Sequence, residues 1–408
     1  MKHSNILTVI VLVSILGLAA CDSRPATTSV VPTPVSVITT ATSLPISTMT
    51  AAPTVTETPA QIPTETPAAP TATLCPTSTP DGPVGRILFL AAKCDSMGVC
   101  PHPSTIYRIR SDGSGLQQVF QSQADILDLA LSPNNTRLAF AEDYGWGYQV
   151  HILDLETGDT QPLLDLPYNT RMPRWVSNDQ LLCVAGPTGS GGTNNIYVAD
   201  ADGGGQQLTN YLSSTAFFDL AVSPDGAQCL FATYDSDADR TTVSRINVDR
   251  TGLQELISLP GYHPVDVEWS PSGRWMAIYR TGSTGLIPIY LANRESADMV
   301  EIAQLDSPQL LAWATDESEL IFLEIQSGNV VAVRRDSNGT RTIARVSGPG
   351  ELLRVGDLYL SPVALSPDQA QLVFSPLGGG LYIMDMHTGR RQQLMMADYL
   401  AFTILWVP

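Results

Sequence analysis

A short pattern recurs seven times between Leu131 and Trp406: an apolar residue, often tryptophan, followed by a tight polar turn of the Ser-Pro-Asp-Gly type. Successive copies are separated by 44, 47, 47, 44, 52 and 41 residues. A period of about 40–50 residues built from short strands is typical of a β-propeller. The copies are Leu131-Ser132-Pro133, Trp175-Val176-Ser177, Val222-Ser223-Pro224-Asp225-Gly226, Trp269-Ser270-Pro271-Ser272-Gly273, Trp313-Ala314-Thr315-Asp316, Leu365-Ser366-Pro367-Asp368 and Trp406-Val407-Pro408.

Each repeat contains four β-rich runs, of which the third leads into a turn. Glycine and Asp/Asn supply the positive φ that a tight hairpin needs. The fifth copy has Asn293-Arg294-Glu295 in place of the glycine turn. The other six turns contain Gly113, Gly158, Gly203, Gly252, Gly339 and Gly389.

The two ends of the repeat region are complementary. The first unit, 85–119, has three runs and no preceding turn motif, whereas the last motif, 400–408, has no runs after it. Placing strand 400–408 as the innermost strand of the first blade closes the ring and removes exposed strand edges. We therefore predict an all-β propeller over 84–408 with seven four-stranded blades. Six blades remain the alternative, because the largest spacing falls at 341–364.

The strings Ile196 to Gly203 and Val222 to Gly226 resemble the TolB-type, WD-like propeller repeat. The resemblance covers about 84–408 and implies the fold. It says little about function, because that family serves as scaffolds, regulatory propellers of peptidases and a few lyases with His-rich metal sites. The separate N-terminal domain of TolB itself has no counterpart in this sequence.

The first twenty residues have the pattern of an export signal. Lys2 supplies a positive start, Ile6 to Leu18 is apolar, and Leu18-Ala19-Ala20 leads into Cys21. Small residues before a cysteine resemble a bacterial lipobox, which implies cleavage after residue 20 and lipid on Cys21. The alternative is an ordinary signal peptide with an incidental cysteine. The lipoprotein interpretation predicts an extracytoplasmic protein whose first partner is a membrane.

Residues 21–83 carry the predicted lipid site and then a linker rich in proline and threonine. Twelve of the chain's 30 prolines lie between residues 22 and 83. Such a segment cannot bury enough apolar surface to offset its ordering entropy, so we expect a disordered tether.

Charge and cysteine usage narrow the possible partners. The formal net charge of −18 leaves no basic footprint for nucleic acid, which we exclude as a ligand. Cys94 and Cys100 lie close together in a loop-like stretch and are candidates for a disulfide in an exported protein. Cys183 and Cys229 lie in apolar runs and are expected to be buried free thiols.

The sequence contains no clear catalytic constellation. No Gly-x-Ser-x-Gly occurs, and no segment remains outside the propeller for a hydrolase domain. We expect no catalysis, no cofactor and no metal. A metal-assisted polysaccharide lyase using His102, His151 or His263 is the alternative. The loop with Asp235, Asp237 and Asp239 lacks a twelve-residue calcium pattern ending in Glu and is expected to be solvated.

In a propeller the turn motifs and the glycine hairpins share one face, here called the turn face. The remaining loops form the opposite surface, here called the loop face, where variable loops on a rigid scaffold favour recognition. We expect Phe217 and Phe218 to pack between blades. The loops are 91–105, 141–148, 164–172, 185–195, 209–218, 233–241 and 344–361. Their candidate ligand-contacting residues are Tyr144, Trp146, Tyr148, Tyr168, Tyr211 and Tyr234.

These observations favour a lipid-anchored, non-catalytic binding or scaffold module for a peptide, a protein or a cell-wall glycan. The lyase is the enzymatic alternative. A purely structural subunit of an envelope complex is the third hypothesis.

Overall fold

The computed structural model describes residues 85–94, 103–163, 169–187, 193–212, 215–281, 285–337, 339–346, 362–376 and 379–407. They belong to one compact unit, Asp81–Pro408. Within the described residues the regular structure is entirely β, and no helix of membrane-spanning length and apolarity is found there. The predicted signal, lipid site and tether fall on residues 1–83, outside the described residues.

The strands form seven four-stranded antiparallel sheets, the blades of a closed ring. Blade 1 contains β1 (Arg86–Lys93), β2 (Thr105–Arg110) and β3 (Gln117–Gln121). Blade 2 contains β4 (Asp125–Leu131), β5 (Arg137–Asp143), β6 (Tyr148–Asp154) and β7 (Thr160–Pro162). Blade 3 contains β8 (Arg171–Trp175), β9 (Gln180–Ala185), β10 (Asn195–Asp200) and β11 (Gly205–Gln207). Blades 4 and 5 contain β12 (Thr215–Val222), β13 (Gln228–Asp235), β14 (Arg240–Asn247) and β15 (Gln254–Pro260); and β16 (Val265–Trp269), β17 (Trp275–Arg280), β18 (Leu286–Asn293) and β19 (Met299–Asp306). Blades 6 and 7 contain β20 (Pro308–Trp313), β21 (Glu319–Glu324), β22 (Asn329–Arg334) and β23 (Thr340–Arg345); and β24 (Val363–Leu365), β25 (Gln371–Phe374), β26 (Leu381–Asp385) and β27 (Arg391–Met395). The last strand is β28 (Tyr399–Val407).

The ring is closed by the end of the chain. β28 pairs antiparallel with β1, with Ile87 opposite Trp406 and Phe89 opposite Ile404, and so becomes the innermost strand of blade 1. The predicted seven blades and their closure are confirmed. The six-bladed alternative is wrong, because β20 to β23 and β24 to β27 form two separate complete sheets.

In four blades the serine that follows the apolar residue of the turn motif accepts a hydrogen bond from the backbone at the start of the second strand. Ser223 is buried, its hydroxyl accepts the Gln228 N–H at 2.9 Å, and it donates to Asp225 Oδ1 at 2.5 Å. Gly226 completes the turn at φ 70°. The same serine-to-amide bond joins Ser132 to Arg137 and Ser366 to Gln371. The motif is therefore a turn in which a side chain satisfies a buried backbone donor.

The hydrophobic core lies between blades. Seven buried apolar clusters correspond to the seven blade interfaces, the one between blades 7 and 1 included. Tryptophans of the repeat also hydrogen-bond across interfaces. The Trp175 indole N–H donates to the Ala130 carbonyl at 2.9 Å, and that of Trp269 donates to Ala221 at 3.2 Å. Cys183 and Cys229 are buried free thiols in these interfaces, as predicted.

The two faces are arranged as predicted. On the turn face the third-strand hairpin bonds to the repeated turn, as in Ala201 N–H to Asp179 carbonyl at 2.8 Å. On the loop face the second-to-third-strand loop bonds to the connection between blades, as in Gly261 N–H to Asp239 carbonyl at 2.7 Å. In blade 5 the hairpin without glycine places Ala297 at φ 58° instead.

Candidate functional site

The most exposed aromatic pair of the loop face lies between β5 and β6. Tyr144 and Trp146 are stacked, with ring centroids 5.7 Å apart and planes 25° from parallel. Trp146 leaves 71% of its surface exposed and Tyr144 leaves 41%. A flat, water-exposed aromatic platform of this kind suits contact with a sugar ring or a peptide.

The platform is held from below by a buried carboxylate. Glu142, on β5, accepts a hydrogen bond from the Tyr144 hydroxyl, and His151 Nε2 on β6 lies 2.9 Å from Glu142 Oε2. Burial alone raises the pKa of Glu142, but hydrogen bonds from His151, Ser122 and Tyr144 outweigh it and lower the pKa to about 2. Burial and the Glu142 carboxylate raise the pKa of Tyr144 to about 12. Tyr144 is thus a fixed donor whose ring orientation is set by Glu142.

The other predicted tyrosines have different surroundings. Tyr148 is half-buried, and burial together with the charge of Asp143 raises its pKa. Tyr211 packs edge-on against Phe217 and Phe231 at 5.9 and 6.5 Å and belongs to the interface between blades 3 and 4. Tyr211 therefore acts mainly in packing. Tyr168 lies outside the described residues.

Tyr234 belongs to a second aromatic cluster on the loop face. Its ring lies 5.1 Å from Tyr262, which in turn lies 5.2 Å from Phe218. Phe217 is buried between blades 3 and 4, and Phe218 is half-buried against the cluster between blades 4 and 5, so both pack between blades as predicted. Tyr262 is 60% exposed and was not a predicted site residue. It lies in the short connection between blades 4 and 5, and its position directly after a glycine was the available signal.

Of the three candidate metal-binding histidines, the two that the structure describes lie in different parts of the ring. His151 is on β6 in blade 2, His263 lies between blades 4 and 5, and His102 is outside the described residues. Asp235 accepts hydrogen bonds from the backbone N–H groups of Asp237 and Ala238, so its carboxylate stabilises the turn in which it lies. Within the described ranges no group of three His, Cys, Asp or Glu residues is arranged to hold a metal ion. Cys94 is disulfide-bonded, but Cys100 is not among the described residues and that pairing stays a prediction.

A charged cavity lies along the innermost strands of blades 3 to 6. It has a volume of about 660 Å³ and is lined by Arg174, Asp219, Asp266 and Glu268, together with Tyr279 and two tryptophans of the repeat, Trp269 and Trp313. Arg174 Nη2 donates to Asp219 Oδ1 at 3.2 Å, and the Tyr279 hydroxyl lies 3.5 Å from Asp266 Oδ2. Asp128, from blade 2, lies 4.0 Å from the Arg174 guanidinium.

Asp219 and Asp266 are half-buried, and Glu268 is exposed to the cavity. Burial, and then the negative charge of Asp219, raise the pKa of Asp266 to about 8 and that of Glu268 to about 7. Burial also raises the pKa of Asp219, against the opposing effect of Arg174. These are the most strongly raised carboxyl groups of the described chain, and such groups favour a functional site.

Sequence reasoning missed this cavity, although a signal for it existed. Asp128, Asp219 and Asp266 each stand three residues before a repeat motif, at Leu131, Val222 and Trp269. Alignment of the repeats on their motifs places these carboxylates at one level of the innermost strands of blades 2, 4 and 5. Acidic residues at an inward-facing position of a β-strand are costly unless they have a partner or a ligand.

Comparisons with known proteins support the fold. The structure is similar to a puromycin-hydrolyzing peptidase of Mycobacterium tuberculosis (TM-score 0.55, 12% identity, 76% of this chain and 52% of that chain) and to an oligogalacturonate lyase in complex with manganese (0.54, 12%, 76% and 85%). It is also similar to TolB from Acinetobacter baumannii (0.48, 14%, 79% and 66%). No protein-family model matches the sequence, and no curated protein does.

At these identities the similarity concerns the fold alone. The chain spans about two thirds of the TolB chain and about half of the peptidase. The protein is a seven-bladed β-propeller, as its TolB-type repeats predicted. Its loop face carries an exposed aromatic platform, and its inner strands enclose an acidic cavity.

Proposed function

We propose that this protein is a lipid-anchored, extracytoplasmic binding propeller that takes a peptide, protein or cell-wall glycan on its loop face without transforming it. The observation that carries the proposal is the exposed Tyr144–Trp146 stack, held by Glu142. Large exposed aromatic rings in a fixed orientation are typical anchors of ligand contacts. The predicted lipid on Cys21 and the proline-rich tether place the ring at a membrane surface.

The supporting rigidity comes from the scaffold. Tyr144 is fixed by a hydrogen bond to a buried carboxylate, and Trp146 stacks on Tyr144, so little rotamer freedom is lost when a ligand binds. In the platform loop the Tyr144 N–H donates to the Gly147 carbonyl at 3.0 Å, and the Tyr148 N–H donates to Asn169 Oδ1 at 3.0 Å. A ligand that stacks on the two rings keeps this preformed geometry.

The proposal is tested by binding to arrays of cell-wall glycan fragments and of synthetic peptides. Trp146→Ala is expected to weaken binding of any hit by about tenfold or more, since aromatic anchors contribute about 2 kcal/mol. Leu253→Ala removes another exposed apolar side chain, from the turn face, and is the matched control. Hits that respond equally to both variants, or the absence of hits, would reject the loop-face platform.

The enzymatic alternative is tested on the same preparation. A similar propeller is a lyase in complex with manganese, so turnover of polyuronate chains is measured with and without Mn²⁺. Turnover lost in His151→Ala or His263→Ala would replace the binding proposal by the lyase. Co-purification of the lipid-anchored protein with a fixed set of envelope proteins, without ligand hits, would favour the structural hypothesis.

A further inference from the structure

The cavity between blades 3 and 6 is separate from the Tyr144–Trp146 platform and has the size of a small-ligand site. Its volume of about 660 Å³ lies within the range of about 300–1,000 Å³ that is common for such sites. One part of its wall is polar, with carboxylates, Arg174 and Gln309, and the other part is aromatic and aliphatic, from residues such as Trp269, Trp313 and Leu310. A ligand that fills it has a charged end and an apolar body.

Among the described residues, the cavity wall contains three carboxyl groups, from Asp219, Asp266 and Glu268, but only one basic side chain, Arg174. Arg174 is committed to Asp219, whose second oxygen already accepts the Val267 N–H at 3.1 Å. Glu268 accepts only the N–H of its neighbour Trp269, at 3.2 Å, among its hydrogen bonds in the described structure. The charges that act on Asp266 are Asp219 and Glu268, which are repulsive, and Arg174. A cation in the cavity therefore relieves a repulsion that the folded chain leaves in place.

A second, independent observation points to an occupant. Trp313 is 6% exposed, and its indole nitrogen has no hydrogen-bond partner among the described residues. The equivalent N–H groups of Trp175 and Trp269 donate to carbonyls on the innermost strand of the preceding blade. For Trp313 that strand is β16, which forms the cavity wall. Trp313 also lines the cavity, so the wall of the site contains an unpaired buried donor that an oxygen acceptor would satisfy.

We propose that the cavity binds the basic side chain of a peptide, with its ammonium or guanidinium group at Asp266 and Glu268 and its aliphatic stem along Trp269 and Leu310. A backbone carbonyl of the same peptide accepts the Trp313 N–H. A bare metal ion fits less well, because the described residues hold no group of three His, Cys, Asp or Glu residues arranged as metal ligands. An uncharged or anionic ligand leaves the repulsion unrelieved.

Binding of such a cation is coupled to proton release. Asp266, with a pKa of about 8, and Glu268, with a pKa of about 7, are partly protonated at neutral pH because of burial and the nearby Asp219. The other groups facing the cavity are Arg174 and Tyr279, which keep their protons at this pH. The cation favours the ionised carboxylates, so affinity rises with pH from about 6 to 8 and protons leave on binding.

The test uses the full chain and isothermal titration calorimetry with two blocked tripeptides, acetyl-Ala-Arg-Ala-amide and acetyl-Ala-Lys-Ala-amide. The citrulline tripeptide, which replaces the arginine charge with a neutral isostere, is the ligand control. We expect at least about tenfold tighter binding of a basic tripeptide than of its neutral counterpart. Runs in buffers of different ionisation enthalpy are expected to show proton release.

Substitutions in the cavity wall test whether the tripeptide binds in the cavity. Glu268→Gln is expected to weaken binding of the basic tripeptide by about tenfold. Trp313→Phe is expected to weaken it by about twofold to tenfold, which is the contribution of one hydrogen bond. Asp298→Asn/Glu301→Gln removes two exposed charges from the outer side of the same blade and is the matched control. The control is expected to bind as the parent does.

Several results would overturn the proposal. They are failure of both basic tripeptides to bind at about 10 mM, equal binding of the citrulline tripeptide, and Ca²⁺ alone binding more tightly than either peptide. The comparison of arginine with citrulline uses the parent protein, so it decides the question even if the cavity variants fail to fold. It is also independent of the Trp146→Ala result at the loop face.

Discussion

Arg174 on β8 and Asp219 on β12 are joined across the boundary between blades 3 and 4 by a hydrogen-bonded ion pair of 3.2 Å. Arg174 Nε also donates to the Leu220 carbonyl at 3.0 Å, and Asp219 Oδ2 accepts the Val267 N–H of blade 5 at 3.1 Å. The pair therefore connects the innermost strands of three consecutive blades.

Removal of the arginine from this pair is expected to destabilise the ring. Arg174→Met leaves Asp219 enclosed without its counterion. Breaking an enclosed pair from one side costs about 3–5 kcal/mol when it is fully buried, and water in the cavity reduces this to about 1–3 kcal/mol. Urea denaturation at neutral pH measures the change. Arg174→Met/Asp219→Leu is expected to recover part of the loss, and a double variant no more stable than Arg174→Met would contradict this explanation.

The cavity carboxyl groups are expected to make the protein less stable as pH rises. The pKa values of Asp266 and Glu268 are raised to about 8 and about 7 in the folded state, so that state holds protons that the unfolded chain has lost. The penalty is absent below about pH 4, grows as pH rises, and is complete above about pH 8. Asp266→Asn/Glu268→Gln removes it. Unfolding free energies from pH 5 to 8 should therefore fall more steeply for the parent than for the variant, and parallel curves would contradict the shifts.

Ring closure depends on Trp406. This half-buried ring packs into the cluster between blades 7 and 1, and a Cβ added at Gly85 would lie 2.6 Å from its indole nitrogen. Trp406→Ala is expected to lower the free energy of unfolding by about 2–4 kcal/mol, somewhat less than for a fully buried tryptophan. Deletion of 399–407 is expected to abolish cooperative unfolding, because domains have only about 5–15 kcal/mol in total. Thermal melts measure both, Leu253→Ala is the surface control, and a truncated protein that melts as the parent does would disprove closure by β28.

Lipid attachment is tested at Cys21. Cys21→Ala is expected to abolish lipidation and either release the protein from the membrane or leave its signal uncleaved. Partition into detergent and mass spectrometry of the mature N-terminus report the result. A variant that partitions as the parent does would reject the lipobox interpretation, and Cys75→Ala is the matched control.

The fold was predictable because each blade repeats its own local chemistry. Ser223, Asp225 and Gly226 form a turn from contacts within a few residues, and Ser366 and Asp368 repeat it with Gln369 in place of the glycine. The spacing of these turns then leaves room for four short strands. Closure of the ring was also predictable, because the first unit lacks one strand and the end of the chain supplies one extra strand.

The sites were less predictable because they are built by residues from different blades. Tyr211 was expected at the surface, but contacts with Phe217 and Phe231, on the next blade, bury it. The acidic cavity joins Arg174, Asp219 and Asp266, each about 45 residues from the next, and only their common inward direction brings them together. Tyr144 and Trp146 were predictable because two residues of one short loop form the whole platform.

The pairing of β1 with β28 has a consequence for how the chain is made. More than 300 residues, from Arg86 to Val407, separate the partners of one sheet. During synthesis the first blade therefore has only three strands and an unpaired edge, while the other six blades can form. Contacts of such long sequence separation slow folding and prolong exposure of that edge. Newly made chains are thus most vulnerable to aggregation and proteolysis late in translation, and a chaperone that shields blade 1 acts at the stage where protection is needed most.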